Sequence, residues 1–441
     1  MNIQDKKVNE ALANLQIASL NEMQLAALEV CKKGKSLVLL SPTGSGKTLA
    51  FLLPVLLNLK PEIKNDIQAL IVVPSRELAI QIEQVFKAMQ TGFKIMLSYG
   101  GHDIKVEINN LVEAPAVVIA TPGRLAQHIR QKSIFLNNVH TLVYDEFDKS
   151  LELGFQEDLK FISTQLHSVK QRILTSATQA ESLPDFAGVE KAQTINFLTD
   201  AIPPQLDLKL VKAIGTDKLE ALLGLVCKQG TLNGLIFCNH REAVERISEI
   251  LTRREIQHGS FHGGMEQIDR EKSLIKFRNG SHRILITTDL ASRGLDIPEL
   301  GYIVHYQVPH QESAFTHRNG RTARMFASGE AFLVLAEEEK LPLYLQKEIE
   351  ILELPAEAIT PPPTEFETVY VSAGKKDKIN KIDLVGFFIQ TGSLEKEDIG
   401  KIEVLDFSSF VAVKRDKVHQ LLFNTKNQKI KKKAVKVDVS N

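Results

Sequence analysis

Eight short runs of nearly unbroken apolar residues, in two sets of four, constrain this chain more than any other feature. The first set covers residues 36–40, 69–73, 116–120 and 141–144; the second covers 234–238, 283–287, 302–305 and 331–335. Stretches with helical, amphipathic spacing lie between them. A strand that is apolar throughout is buried on both faces, and intervening helices supply the cover, so each set predicts a parallel sheet with helices packed on it. The pattern pauses at Ala201-Ile202-Pro203-Pro204 and then restarts. Two α/β domains are expected, 1–204 and 205–358.

A second break is sharper. Thr360-Pro361-Pro362-Pro363-Thr364 cannot continue a helix and is stiff when extended, which predicts a linker over 359–366. Beyond it, strand signals at 368–372, 401–405 and 409–413 and a helical stretch at 382–390 predict a small α+β domain over 367–441. Three domains suit 441 residues at ~150 residues each. The net charge is zero for the whole chain, yet residues 365–441 hold 15 lysines and arginines against 11 acids, and the preceding 364 residues are net negative. Lys426, Lys429, Lys431, Lys432, Lys433 and Lys436 crowd the end. That is a solvated tail or a phosphate-binding surface.

Other bounds come from what the residues exclude. A 43% hydrophobic and 24% charged composition is that of a globular protein. No apolar run reaches ~18 residues, so no membrane span is expected. The polar first ten residues lack the apolar core of a secretory signal, and a cytoplasmic protein is expected. Cys31, Cys227 and Cys238 are far apart and form no CxxC pair, so they read as reduced thiols.

Chemistry first shows where the run at 36–40 meets Ser41-Pro42-Thr43-Gly44-Ser45-Gly46-Lys47-Thr48. A strand, a glycine-rich turn and a helix start turn backbone N–H groups inward around phosphates, with the helix dipole adding to the attraction. Lys47 then reaches the β- and γ-phosphates of ATP and the Thr48 hydroxyl ligates Mg²⁺. Ser41 stands where the strict pattern has glycine. The run at 141–144 ends in Asp145-Glu146, and a parallel strand delivers its last residues to the ligand-binding edge. Asp145 is placed to hold Mg²⁺ and Glu146 to take a proton from the attacking water. An acidic helix N-terminus is the plain alternative for such a pair. The second domain has no phosphate loop, so one nucleotide site is expected.

Seven stretches in fixed order carry a resemblance over residues 10–340. They are the phosphate loop, Pro74-Ser75-Arg76-Glu77-Leu78-Ala79, Thr121-Pro122-Gly123-Arg124, Asp145-Glu146-Phe147-Asp148, Ser176-Ala177-Thr178, Thr288-Asp289 through Arg293-Gly294-Leu295-Asp296, and His317 through Arg324. The ordered set resembles the DEAD-box RNA helicases of superfamily two. The resemblance implies tandem RecA-like domains, ATP and Mg²⁺, and an RNA substrate. By family position Gln24 reads adenine, Asp296 faces the ribose, Asp148 bonds Ser176 and Thr178, and Arg321 and Arg324 act as arginine fingers on the γ-phosphate. Hydrolysis then needs the two domains to close. The chain departs from the family pattern at Phe147, usually alanine, at Leu20-Asn21 before Gln24, and at Asn319 and Ala323. Phe147 is expected to need local repacking.

RNA contacts are expected at the loops that follow strands. Pro74, Arg76, Gly101, Thr121, Gly123 and Arg124 in the first domain offer the small residues and isolated arginines that backbone phosphates need. Gly263, Thr288 and Arg293 hold the equivalent family positions in the second. Residues 367–439 resemble the DbpA-type RNA-binding domain, a fold related to the RNA-recognition motif, through Gly374 to Lys378, Ile399 to Ile402, Phe410 to Val413 and Lys429 to Lys433. The resemblance implies RNA contacts at Lys378, Lys431, Lys432 and Lys433 and anchoring on a hairpin of large-subunit ribosomal RNA. The expected protein is a monomeric RNA-dependent ATPase that separates short duplexes in ribosome assembly. A helicase on other transcripts, a nucleic-acid clamp without productive hydrolysis and a DNA-directed helicase are the alternatives.

Overall fold

A computed structural model describes the chain except residues 1–2, 43, 102, 179–182, 199–205, 290–296, 298–299, 321–328, 346–347, 356–358 and 441. Thr43, Arg293, Asp296, Arg321 and Arg324 therefore lie outside the described residues. The chain divides into two compact units, one holding the first sheet and the other holding the second sheet together with the carboxy-terminal one.

In the first unit, β1 (Leu37–Leu40), β2 (Ala69–Val72), β3 (Ile95–Ser98), β4 (Val117–Ala120), β5 (Thr141–Tyr144), β6 (Gln171–Ser176) and β7 (Gln193–Asn196) form an all-parallel sheet in the order β3-β4-β2-β5-β6-β1-β7. Among the described residues eight α-helices accompany it: α1 (Ile3–Asn14), α2 (Glu22–Lys32), α3 (Lys47–Asn58), α4 (Arg76–Ala88), α5 (Ile104–Leu111), α6 (Pro122–Arg130), α7 (Phe147–Glu152) and α8 (Gln156–Gln165). Alternation along the central strands splits the core into two layers. Leu37, Leu39, Ile71, Val117 and Val143 pack with α2, α3 and α4, while Val38, Leu70, Val118, Leu142 and Tyr144 pack with α6 and α8. Each such side chain contributes about 1.5–3 kcal/mol by leaving water. Burial on both faces is the reason these strands read as continuous apolar runs.

The second unit repeats the plan. Strands β8 (Leu206–Lys212), β9 (Gly234–Phe237), β10 (His258–Phe261), β11 (Ile284–Thr287), β12 (Tyr302–His305), β13 (Gly329–Leu335) and β14 (Glu350–Ile351) run parallel in the order β10-β11-β9-β12-β13-β8-β14. They carry α9 (Leu219–Gln229), α10 (Arg241–Arg253), α11 (Gln267–Arg278) and α12 (Glu312–Asn319). Gly234 pairs with Tyr302, whose ring lies where a Cβ on Gly234 would stand, so the close approach requires glycine.

The carboxy-terminal sheet is antiparallel. It is built from β15 (Phe366–Val371), β16 (Ile399–Val404) and β17 (Ser409–Lys414); a separate hairpin, β18 (Lys429–Ile430) and β19 (Lys433–Ala434), precedes the edge strand β20 (Val437–Val439). Val369, Val371, Val411 and Val413 face a core with Leu384 and Phe388 of α13 (Lys381–Gln390) and Leu421 of α14 (Val418–Asn424). The helical stretch expected at 382–390 and the three expected strands are all present. The proline segment, expected as a spacer, is instead held down. Arg283 donates to the carbonyls of Pro362 (2.6 Å) and Pro363 (3.4 Å), and Arg415 Nε donates to that of Thr364 (3.0 Å). Thr368, fully buried on the sheet face away from α13, meets Asn279 and Ser281 at 2.9 and 2.8 Å, and Arg278 pairs with Glu403 at 2.8 Å. The small sheet is thus docked on the end of α11. Among the described residues no helix is long and apolar enough to cross a membrane.

Candidate functional site

Strand register gathers the functional loops of the first unit at one sheet edge. Leu40 pairs with Ser176, Tyr144 with Leu174 and Val72, and Ala120 with Val72 and Ser98, so residues 41, 73, 99, 121, 145 and 177 leave the sheet on the same side. This is the carboxyl edge, where open parallel sheets bind ligands.

The phosphate loop is built there. Gly44 and Gly46 have φ of 83° and 91°, a left-handed backbone that favours glycine. Ser41, the departure from glycine, is buried; its hydroxyl donates to Ser45 Oγ at 2.7 Å, bracing the loop internally. Lys47 begins α3 and its ammonium donates to the carbonyls of Ser41 (2.6 Å) and Pro42 (3.0 Å), which places the charge inside the loop's curve. Thr48, half-buried, follows it on the first turn of α3.

Across the edge Asp145 is buried, with the Thr175 hydroxyl and the Glu146 amide donating to Oδ1. Burial raises its carboxyl above the ordinary value, only partly opposed by Thr175, Lys47 and the amide. Glu146 caps α7 with φ 48° and ψ 52°, a left-handed conformation unusual for a residue with a Cβ. Such strain collects at functional sites. Phe147 is buried against Tyr144 and Phe186, ring centroids 5.4 and 6.2 Å away. Asp148 Oδ2 accepts from Thr178 Oγ1 at 2.7 Å, and Ser176 Oγ donates to the Thr178 carbonyl at 2.6 Å. The three expected coupling residues are together.

Gln24 lies beside the same loop, but both ends of its carboxamide are engaged by backbone. Oε1 accepts from the Asn21 amide (3.1 Å) and Nε2 donates to the Gly46 carbonyl (3.2 Å), while Asn21 Nδ2 donates to the Ser45 carbonyl (3.0 Å). The pair forms a capping box on α2 and clamps the phosphate loop. Asn21 and Thr175 are contributors that sequence reasoning missed. The capping spacing from Asn21 to Gln24 was the available signal for the first; Thr175 sits in a strand too polar at its start to be noticed.

The expected RNA-contact residues of the first domain sit farther along this edge. Arg76 starts α4 and packs on Gly101, whose φ is 104° and where a Cβ would collide with the guanidinium; the same group lies 5.9 Å from the Tyr99 ring. Pro74 is buried; Thr121 caps α6, and Gly123 follows in its first turn. Arg124 is turned inward, only 8% exposed, with Nε 3.8 Å from Glu107 Oε1.

In the second unit Phe261 and Phe237 both pair with Thr287, so the loops bearing Gly263, Thr288 and Asn239 also share an edge. Arg318, in the same stretch as the two expected arginine fingers, has a structural place. Arg318 is fully buried, donating to Asp289 Oδ1 (2.6 Å) and Oδ2 (3.1 Å), to Asn239 Oδ1 (2.8 Å) and to the Gln307 carbonyl (2.8 Å). It stacks 5.2 Å from the Phe237 ring. It ties three loops together.

In the carboxy-terminal domain Lys378, Lys431, Lys432 and Lys433 are exposed and adjoining. Lys431 Nζ donates to the Lys378 carbonyl (2.8 Å) and to Asp383 Oδ2 (2.7 Å), Lys433 pairs with Asp377, and Lys432 stands in the turn of the β18–β19 hairpin. Those pairs hold the Asp377 and Asp383 carboxyls below the ordinary range. Two of the four lysines thus also brace the surface they occupy.

The chain is similar to known proteins in each of these regions. The DEAD/DEAH box helicase family matches residues 21–186, the helicase conserved C-terminal domain matches 217–326, and the DbpA RNA binding domain matches 368–439. The chain is 31% identical to the ATP-dependent RNA helicase DbpA of Escherichia coli (strain K12) over 444 residues, 96% of each chain. It is 28% identical to the ATP-dependent RNA helicase DbpA of Bacillus subtilis (strain 168), covering 98% of this chain and 97% of that one. In fold it is similar to the DEAD-box helicase Mss116 bound to ssRNA and UDP-BeF, with a TM-score of 0.70 and 24% identity over 80% of this chain and 79% of that one. It is also similar to S. cerevisiae Dbp5 bound to RNA and ADP BeF3, with a TM-score of 0.66 and 24% identity over 75% of this chain and 88% of that one.

Proposed function

The chain belongs to the DbpA group of DEAD-box ATP-dependent RNA helicases, and from that premise we propose that it separates short duplexes in large-subunit ribosomal RNA during ribosome assembly. The observation that carries the choice of RNA is the exposed lysine surface of Lys378 and the β18–β19 hairpin, in the domain matched to the DbpA RNA binding domain. A motor edge built from backbone-directed loops has no means of choosing a transcript. The choice is therefore assigned to the carboxy-terminal domain, whose lysines anchor it on the phosphates of a folded RNA.

On this reading Lys47 neutralises the β- and γ-phosphates and Glu146 takes the proton of the attacking water. Thr48 and Asp145 would hold Mg²⁺. The fit is chemical: both offer oxygen donors, and Asp145 is a buried carboxylate whose charge a cation would offset. When bound, the ion neutralises charge developing on the phosphates. Gln24 is assigned to adenine and Asp296 to the ribose. Arg321 and Arg324, guanidiniums suited to phosphate oxygens, are assigned to the γ-phosphate. Asp148, Ser176 and Thr178 would relay the state of the nucleotide to the RNA edge. The protein is taken to act as a monomer in the cytoplasm.

Reversing charge at Lys431, Lys432 and Lys433 in the full chain tests the assignment. ATPase activity at saturating generic RNA should persist, preference for a ribosomal RNA hairpin over an unrelated strand should vanish, and DNA of matched sequence should stimulate neither protein. The salt dependence of binding should become shallower by roughly 0.7–0.9 in log–log slope for each phosphate that is no longer neutralised. An undiminished preference for the hairpin in the triple variant rejects the lysine surface as the selector.

A further inference from the structure

A carboxylate that belongs to none of the family stretches lies buried beneath the RNA edge. Glu107, on α5, is 2% exposed. Its Oε2 accepts from Ser98 Oγ at 2.7 Å and lies 2.6 Å from His128 Nε2, and its Oε1 is 3.8 Å from Arg124 Nε. His128, itself fully buried, reaches Ser133 Oγ with Nδ1 at 2.7 Å, and that hydroxyl also lies 3.2 Å from the His128 carbonyl.

The positions of these partners give the cluster its meaning. Ser98 is the last residue of β3, three before Gly101. Arg124 and His128 are one turn apart on α6, the helix that starts at Pro122. One carboxylate therefore grips the strand that leads into the Gly100-Gly101 loop and the helix that carries the Thr121 to Arg124 turn. We propose that Glu107 is the positioning residue of the RNA edge, setting the spacing between these two loops through Ser98, His128 and Arg124. The inference rests on the reading that the loops after β2, β3 and β4 bind RNA.

An apolar side chain at 107 would also attach α5 to the sheet. It would do so without direction, because packing tolerates small slides that hydrogen bonds do not. A buried carboxylate is costly unless it is compensated; here Oε2 is met by Ser98 and His128, and Oε1 faces the Arg124 guanidinium. Burial alone would raise this carboxyl. Hydrogen bonds with His128 and Ser98 and the charges of Arg124 and His128 outweigh burial and hold it below the ordinary range, so it is the ionised form that binds the cluster together. Arg124, with its guanidinium drawn down to Glu107, then acts on RNA through the shape of its turn.

The test is steady-state ATPase activity of the full chain titrated with a single-stranded RNA, alongside nucleotide affinity and thermal melting. Glu107→Leu should raise the RNA concentration for half-maximal activity about tenfold, the scale of losing two or so buried hydrogen bonds. Turnover at saturating RNA and affinity for nucleotide should stay within about twofold of the parent on the same scale. Glu107→Gln keeps an acceptor for Ser98 and His128 but loses the charge that faces Arg124, and should recover part of the loss. Ser98→Ala, which removes one hydrogen bond and no charge, should shift the half-saturation point about threefold in the same direction, and decides the matter if Glu107→Leu does not fold. A folded Glu107→Leu with the parent's RNA dependence overturns the proposal, as does a Ser98→Ala variant with no shift when Glu107→Leu is unfolded. So does a loss in maximal turnover equal to the loss in RNA affinity. Gly101→Val separates this outcome from failure of the underlying reading. If Gly101→Val also leaves RNA dependence unchanged, the loops do not bind RNA; if it weakens RNA binding while Glu107→Leu does not, the positioning role alone fails.

Discussion

The two parallel sheets share a strand order and treat buried charge in opposite ways. At the carboxyl edge of the first, burial raises the Asp145 carboxyl despite its hydrogen bonds, and Glu146 is held in a left-handed backbone. At the matching edge of the second, Arg318 is just as buried, yet Asp289, Asn239, the Gln307 carbonyl and the Phe237 ring surround it. One edge keeps a charge under-compensated and a residue strained; the other satisfies its charge from within. The difference teaches how to tell a reacting edge from a bracing edge on the same fold. Strain and unrelieved charge persist where a ligand is to relieve them.

The strongest way to break that contrast is Glu146→Gln. The amide keeps the size of the side chain and cannot take a proton, so RNA-stimulated turnover should fall ~10²–10⁴-fold while ATP and RNA still bind. Single-turnover hydrolysis reads the loss, and turnover at the parent rate would remove Glu146 as the base. The next largest effect belongs to the bracing edge. Arg318→Ala removes a fully buried guanidinium with its bonds to Asp289, Asn239 and the Gln307 carbonyl, and should destabilise the second unit by about 1.5–3 kcal/mol. Denaturant unfolding measures this; a midpoint equal to the parent's would show that Arg318 braces nothing.

How much of this was legible beforehand follows the same physics. The strands at 141–144 and 302–305 were read to the residue because both their faces are buried, and β9 and β11 were read nearly as well. His258–Phe261 and Gln193–Asn196 escaped because they are edge strands with polar or exposed positions, so no apolar run marks them. The phosphate loop, the acidic pair and the link between Asp148 and Thr178 were visible as residue types in order. The double engagement of Gln24 was not, since nothing in a glutamine's identity says which backbone groups stand nearby. The bracing role of Arg318 was hidden for a related reason: three arginines in one short stretch look alike until the fold buries one of them. The docking of β15 on α11 was hidden too, because Asn279, Ser281 and Thr368 are ordinary surface residues by composition and are buried only in each other's presence.

The smallest expected effect sharpens the comparison through pH. In the second unit His305 is fully buried and His282 half-buried, and both are pushed down to about 3, His282 by desolvation and the nearby charges of Lys276, His258 and Arg415, and His305 by desolvation and Arg318. His258 and His262 move the same way. His282 and His305 are neutral when folded and gain a proton on unfolding once the pH drops below the ordinary histidine value of 6.5. Their contribution is intact above that pH and declines as the pH falls toward 3, at up to about 1.4 kcal/mol per pH unit for each of the two. The first unit lacks this one-sided balance. There Asp145 is raised and Glu107 lowered, so their contributions oppose each other, and His140 is the described histidine whose value is lowered. The paired carboxylates of the carboxy-terminal domain, Asp377 and Asp383, titrate below the ordinary aspartate value of 3.8, outside the window. Hydrogen exchange between pH 6.5 and 5 should therefore show protection falling faster in β9, β11 and β12 than in β1, β2 and β5, after correction for intrinsic exchange. His282→Gln removes one titrating group and should flatten the decline in the second unit without altering the first. Equal decline in both sheets, or a limb unchanged by His282→Gln, would mean that these imidazoles do not distinguish the two.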